Sequence, residues 1–225
     1  MTLNETYQEI NNITLKLVEF SLSIQQNFPF RSGSNIECKE NGSVSAILKN
    51  ITYQEKYQVL DKDKNFNIKL IDGALIQFMY SFNSTGRTLL RHRLAYFPAP
   101  HLENYEDDPI SYEEDYFGGS EFHDVIEDNI VKSPIRFDFE SNETIYKPVD
   151  HPYCHLHVGE YNTCRIPVVH PLTPSEFINF ILRNFYNTAL KEYCDDYSFP
   201  ISRHGFEPTI ADEEKKLIYI SCDAS

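Results

Sequence analysis

Apolar positions first recur at helical spacing. Ile10, Ile13, Leu17, Phe20 and Ile24 lie on one stripe of a helix from about Leu3 to Gln26. Thr2 and Glu5 stand at capping-box spacing before it, and Pro29 with Ser32-Gly-Ser34 closes it. Ser43–Lys49 reads as a short strand after Asn41-Gly42, and Thr52–Leu60 as a short helix. The period then drops to two. Phe66, Ile68 and Leu70 alternate along a strand ending at Ile71, before the turn signal Asp72-Gly73. Ala74–Phe82 and Arg87–Tyr96 flank the loop Asn83-Ser-Thr-Gly86 as a hairpin. Pro98-Ala-Pro100 ends the second strand, because proline cannot donate to a ladder.

Beyond this hairpin, Glu103–Asp128 has no clear period and reads as a long acidic loop carrying Tyr105, Tyr112, Tyr116 and Phe117. Three strands are expected after it, over Ile135–Glu140, His151–Gly159 and Thr163–Val169. Thr173-Pro-Ser-Glu176 combines a cap, a first-turn proline and a capping box. The helix it opens runs to about Tyr193 and buries Phe177, Phe180, Ile181, Phe185 and Leu190. Phe199–Thr209 is loop, and Lys215–Ser221 a last strand. The fold class that follows is α+β, one domain over residues 1–225. Short hairpin loops make its sheet mostly antiparallel, with an N-terminal helix and a long C-terminal helix packed on it.

Composition changes the picture in two places. The 16 Phe and 15 Tyr are enough for a real core, so neither metal nor disulfide is needed for folding. The net charge of −14 is concentrated: Glu103–Asp150 holds 15 acidic and 3 basic residues. The acidic balance argues against nonspecific nucleic-acid binding but leaves room for a local basic site. The sequence shows no N-terminal signal peptide and no apolar run of membrane length. Five cysteines without paired spacing then read as free thiols in a reducing cytoplasm, with Cys154–Cys164 as the one bridge a hairpin could hold.

Strand alternation selects the candidate chemistry. Arg91 and Arg93 share a face of their strand, as do Arg136 and Asp138, and His155 and His157. Arg165 shares a face with Thr163. If these strands join in one sheet, its polar face gathers an arginine clamp and an imidazole pair. Arg91, Arg93 and Arg165 would bind a phosphate-bearing ligand, while His155 and His157, assisted by Asp138 and Arg136, carry proton transfer. The imidazoles are expected to face solvent. His155-x-His157 also permits chelation, with Asp138, Asp150 or His151 completing the shell. Two histidines do not complete one by themselves, so neither metal nor cofactor is expected. Phosphate-binding loops, dinucleotide fingerprints and nucleophile-elbow motifs are all absent from the sequence.

A combination of motifs is more specific. His151-Pro-x-x-His155, Gly159, Asn162-x-Cys-Arg-Ile-Pro167, Pro171-Leu-Thr-Pro174 and Phe180-Ile-Leu-Arg-Asn-Phe-Tyr186 resemble a bacterial family catalogued only as a domain of unknown function. Leu70-Ile-Asp-Gly73, Gln77 and Arg91-x-Arg-Leu-x-x-x-Pro98 are similar as well, so the resemblance runs from about Leu60 to Tyr186. It carries over no catalytic role. Families of this kind sit among prokaryotic mobile or defence genes, which implies a protein partner encoded nearby. Arg136-x-Asp138 followed by His151-Pro-x-x-His-x-His157 is also similar to small bacterial toxins of toxin–antitoxin pairs. The chain departs from these in length and in its large N-terminal part. Three functions stay open: a noncatalytic subunit of a prokaryotic multi-gene system, of defence or toxin type; an enzyme acting on phosphodiesters or nucleotides; and, behind these, a small metal-binding protein.

Overall fold

A computed structural model describes residues 1–40, 51–100, 133–161, 163–187, 191 and 205–221. The expected strand at Ser43–Lys49, the acidic loop at Glu103–Asp128 and the helix positions expected at Leu190 and Tyr193 lie outside them. The described residues form an α+β fold, a nine-stranded antiparallel sheet with helices packed on it.

Helix α1 (Leu3–Glu19) starts where Thr2 and Glu5 close the capping box and buries Ile10, Ile13 and Leu17. It stops seven residues short of Gln26. Ser21 takes a φ of 55°, which breaks the helix. The chain then turns into β1 (Ser23–Gln26), where Ile24 is exposed rather than part of the buried stripe. The helix-ending signals Pro29 and Ser32-Gly-Ser34 fall in and beside a small hairpin of β2 (Phe30–Ser32) and β3 (Asn35–Glu37). Gly33 turns it at a φ of 59°.

Helix α2 (Tyr53–Lys62) carries its own capping box, Thr52 with Glu55. Next come β4 (Ile68–Leu70), β5 (Leu75–Phe82), β6 (Leu89–Phe97), β7 (Ile135–Glu140), β8 (Cys154–Val158) and β9 (Ile166–Pro167). The sheet runs β1-β4-β5-β6-β7-β8-β9, and β3 pairs with the far end of β5. Helix α3 (Pro174–Phe185) is capped by Thr173 and Glu176 as expected, but it ends short of the expected Tyr193, because Tyr186 leaves helical geometry at a φ of −133° and a ψ of 39°. Phe177, Ile178, Ile181 and Leu182 face the sheet, while Phe180 and Phe185 are half-buried at the margin of the stripe. The expected strand at Lys215–Ser221 is instead a short 3-10 turn, Glu214–Lys216, followed by a single bridge between Val168 and Ile220. Its apolar residues mimic a strand, but Ile218 is 87% exposed and has no core to face.

Two cores straddle the sheet. Helices α1 and α3 cover one face over Phe78, Tyr80, Leu94, Tyr96, Phe137 and Leu156. Helix α2 covers only a patch of the other face, where Tyr57 and Leu60 meet Leu75, Ala95 and Phe97. The rest of that second face is where the polar residues gather.

Candidate functional site

The burial of β7 decides which way its charged residues point. Ile135, Phe137 and Phe139 are buried in the larger core. Phe137 meets Phe177 and Phe180 of α3 edge-on, at ring distances of 6.0 and 5.2 Å. Strand alternation then sends Arg136, Asp138 and Glu140 to the opposite face. The same holds on β6, where Leu94 and Tyr96 are buried against the helices and Arg91, Arg93 and Ala95 face away. On β8, Cys154 and Leu156 join the core, and the Cys154 thiol donates to the His170 carbonyl at 3.3 Å. His155 and His157 therefore fall on the polar face.

Register brings these pairs together. Arg93 is opposite Asp138, and Asp138 is opposite His155. Arg136 is opposite Ala95 on one side and His157 on the other. Five residues expected from the sequence, Arg93, Arg136, Asp138, His155 and His157, thus form one group on three adjacent strands.

Asp138 is its hub. Its Oδ1 accepts from Arg93 Nε at 3.1 Å. Its Oδ2 lies 2.8 Å from Arg136 Nε, close but poorly aligned, and 3.7 Å from His157 Nε2. Burial opposes ionisation of this carboxyl, but Arg93 and then Arg136 outweigh it and hold the pKa at about 2. Burial pulls the Arg136 guanidinium down while Asp138 supports it, and an arginine in this setting stays charged. Among the described residues, Asp138 is the recorded partner of both guanidinium groups.

The imidazoles are buried, contrary to the expected solvent exposure. His155 is 2% and His157 7% exposed, with β9 paired alongside β8 and the Pro152 carbonyl against the His155 ring. His155 Nδ1 lies 2.9 Å from the Pro152 carbonyl oxygen and donates to it. That fixes the tautomer and leaves the Nε2 lone pair directed at His157 Nε2, 3.0 Å away. The rings meet at 71°. Burial pushes both pKa values down to about 4, and Arg136 adds to the effect at His157. Both rings are therefore neutral at pH 7.

The remaining candidates sit at the rim. Arg91 is two residues along β6 from Arg93 and pairs loosely with Glu140 at 3.8 Å, outside the cluster. Arg165 Nη1 donates to the Asp150 carbonyl at 3.3 Å, and its positive charge reaches His151, His155 and His157. The β8–β9 register, continued by one residue, places Arg165 across from His157. Its buried Nε has no hydrogen-bond partner among the described residues. His151 is half-buried, with its ring 5.2 Å from His155. The locking carbonyl of Pro152 was not anticipated, and a backbone oxygen leaves no signal in side-chain patterning. On the other flank, Lys56 of α2 forms an ion pair with Glu160, which also acts on Arg136.

A family model described as "Uncharacterized conserved protein (DUF2290)" matches residues 22–222. The chain belongs to that family. The motif resemblance read from Leu60 to Tyr186 thus extends through β1 on one side and the 3-10 turn on the other. No curated protein matches the DUF2290 chain, and no solved structure does. No described helix is long and apolar enough to cross a membrane.

Proposed function

We propose that the polar face is the active site of an enzyme acting on a phosphate ester, a phosphodiester or a nucleotide. The observation that supports this reading is the convergence of Arg93, Arg136, Asp138, His155 and His157 on three adjacent strands. Two guanidiniums against one carboxylate, beside neutral imidazoles, leave a net positive site that favours an anion. Among the described residues the contacts to Asp138 run through Nε, so the terminal nitrogens of Arg93 and Arg136 can donate in pairs to the oxygens of a phosphate group. Asp138 aims both guanidiniums. Arg165 at the rim adds positive charge on the His157 side. The His155–His157–Asp138 group lies next to this clamp, where an attacking water would have to be activated.

The test joins binding with turnover. Inorganic phosphate should raise the melting temperature of the wild-type protein, and Arg136→Ala should remove most of that shift. Loss of hydrogen bonds to a charged ligand costs about 1.5–3 kcal/mol, roughly tenfold or more in affinity. Bis(p-nitrophenyl) phosphate and a panel of nucleotides, each with and without added divalent cation, supply the turnover arm. Activity should disappear in His157→Gln. Wild-type protein that neither binds phosphate nor turns over any ester would sink the proposal. In that case a lowered melting temperature in His157→Gln would make the imidazoles structural and favour a noncatalytic subunit of a multi-gene system.

A further inference from the structure

We propose that His155 Nε2, His157 Nε2 and the Asp138 carboxylate form a three-ligand site for a divalent transition-metal ion of the zinc or manganese class. In the sequence the His-x-His pair stands with three candidates to complete a shell, Asp138, Asp150 and His151, and nothing there chooses among them. Register supplies the third ligand, because Asp138 lies directly opposite His155 on β7.

Four features of the geometry carry this assignment. The three donor atoms lie within 4.8 Å of one another. The Nε2 atoms are 3.0 Å apart, and His157 Nε2 is 3.7 Å from Asp138 Oδ2. A tetrahedral ion with bonds of about 2.0–2.2 Å separates its ligands by about 3.3–3.6 Å, so the observed spacings bracket the required one.

The second feature is the orientation of His155. Its Nδ1–H is held by the Pro152 carbonyl at 2.9 Å, which directs the opposite lone pair into the group. Histidine ligands in metal sites are oriented by such a bond. The third is the contact between the two rings. Without an ion, one imidazole must give its Nε2 proton to the other's lone pair, which uses His157 as the Nε2–H tautomer. Binding an ion moves that proton to His157 Nδ1, so both Nε2 lone pairs reach the metal and no net proton is released by the swap.

The fourth is chemical. One carboxylate and two imidazoles are a donor set that suits zinc or manganese, and three protein ligands leave a position open for water or substrate oxygen. The guanidiniums of Arg93 and Arg136 hold Asp138 at 3.1 and 2.8 Å. They weaken the affinity for a cation, while together with the ion they favour an anionic oxygen as the fourth ligand. With metal bound, the imidazoles act as ligands and the bound water becomes the group that loses a proton. This deepens the phosphate-ester reading without depending on it, because metal binding is measured with no ester present.

The experiment uses chelator-stripped full-length protein without an affinity tag, titrated with Co(II) and, by competition, with Zn(II). One ion per chain is expected, with an absorption spectrum of nitrogen and oxygen ligation. His157→Gln removes a direct ligand and should lower the affinity by at least the roughly 10–100-fold that loss of an outer-shell partner costs. Asp138→Asn should lower it as well. Arg136→Ala should leave the one-to-one stoichiometry intact while losing phosphate binding, which separates this proposal from the phosphate reading. Three results would each overturn it: no stoichiometric uptake by the wild type, undiminished uptake by folded His157→Gln, or thiolate charge-transfer bands that place the ion on cysteine. The spectrum of the wild-type protein decides the question even if a variant fails to fold.

Discussion

Replacing Phe177 by alanine tests whether the floor of the site is built as described. Phe177 is fully buried, and its ring stands edge-on to Phe78 at 5.7 Å and to Phe137 at 6.0 Å. Removing a buried phenyl ring costs about 3–5 kcal/mol, part of it for the cavity left behind. Edge-on ring pairs contribute about 0.5–1.5 kcal/mol beyond buried area, so two of them put Phe177→Ala near 4 kcal/mol. Phe180 gives the internal comparison. It also meets Phe137 edge-on, at 5.2 Å, but it is only half-buried, so its ring keeps part of its hydration. About half the penalty, roughly 2 kcal/mol, is expected for Phe180→Ala. Urea unfolding of both variants measures this directly, provided the m-value holds steady so that the midpoint reports stability. A loss below about 1 kcal/mol for Phe177→Ala would mean that α3 does not sit on β7. A larger loss for Phe180 than for Phe177 would mean that the helix is rotated about its axis. Either result would also free Phe137, and with it the argument that Arg136 and Asp138 must point away from the helices.

Two further outcomes follow from burial. His92 is buried with its pKa pushed down from 6.5 to about 3, chiefly by desolvation, with Asp138 opposing. Its folded value lies below its unfolded one, so the unfolded chain takes up the proton first, and stability falls as pH drops from about 6.5 toward 3. This group alone contributes a loss of about 4 kcal/mol by the end of that window. His92→Gln, which can still accept from the Leu172 N–H, should show a shallower acid limb in pH-dependent unfolding, and parallel curves would refute the assignment. Among Cys38, Cys154 and Cys164, a brief native pulse of iodoacetamide read by peptide mass spectrometry should label Cys164 first. Cys38 and Cys154 are buried, and burial lifts the Cys38 thiol to about 12, whereas equal labelling of all three would contradict the packing.

How much of this was legible in the chain depends on how far each feature reaches. Capping boxes at Thr2 and Thr173 need only four residues, and both starts are where the pattern put them. The end of α1 was misplaced because it is set by Ser21 entering a left-handed conformation, while Ile24 happens to continue the helical stripe. The Lys215–Ser221 stretch looked like a strand because apolar spacing cannot tell whether a partner strand or a core is within reach. The site lies between these cases. Each pair, Arg136 with Asp138 and His155 with His157, follows from period two alone. Their meeting does not: it requires β6, β7 and β8 to be neighbours in antiparallel register. That register is held from the other face. Shifting β8 by one residue would turn Cys154 and Leu156 out of the core and drive both imidazoles into it. The apolar residues beneath α3 thus fix the donor geometry above, which is why a site with so little local signature is nonetheless held within a few ångströms.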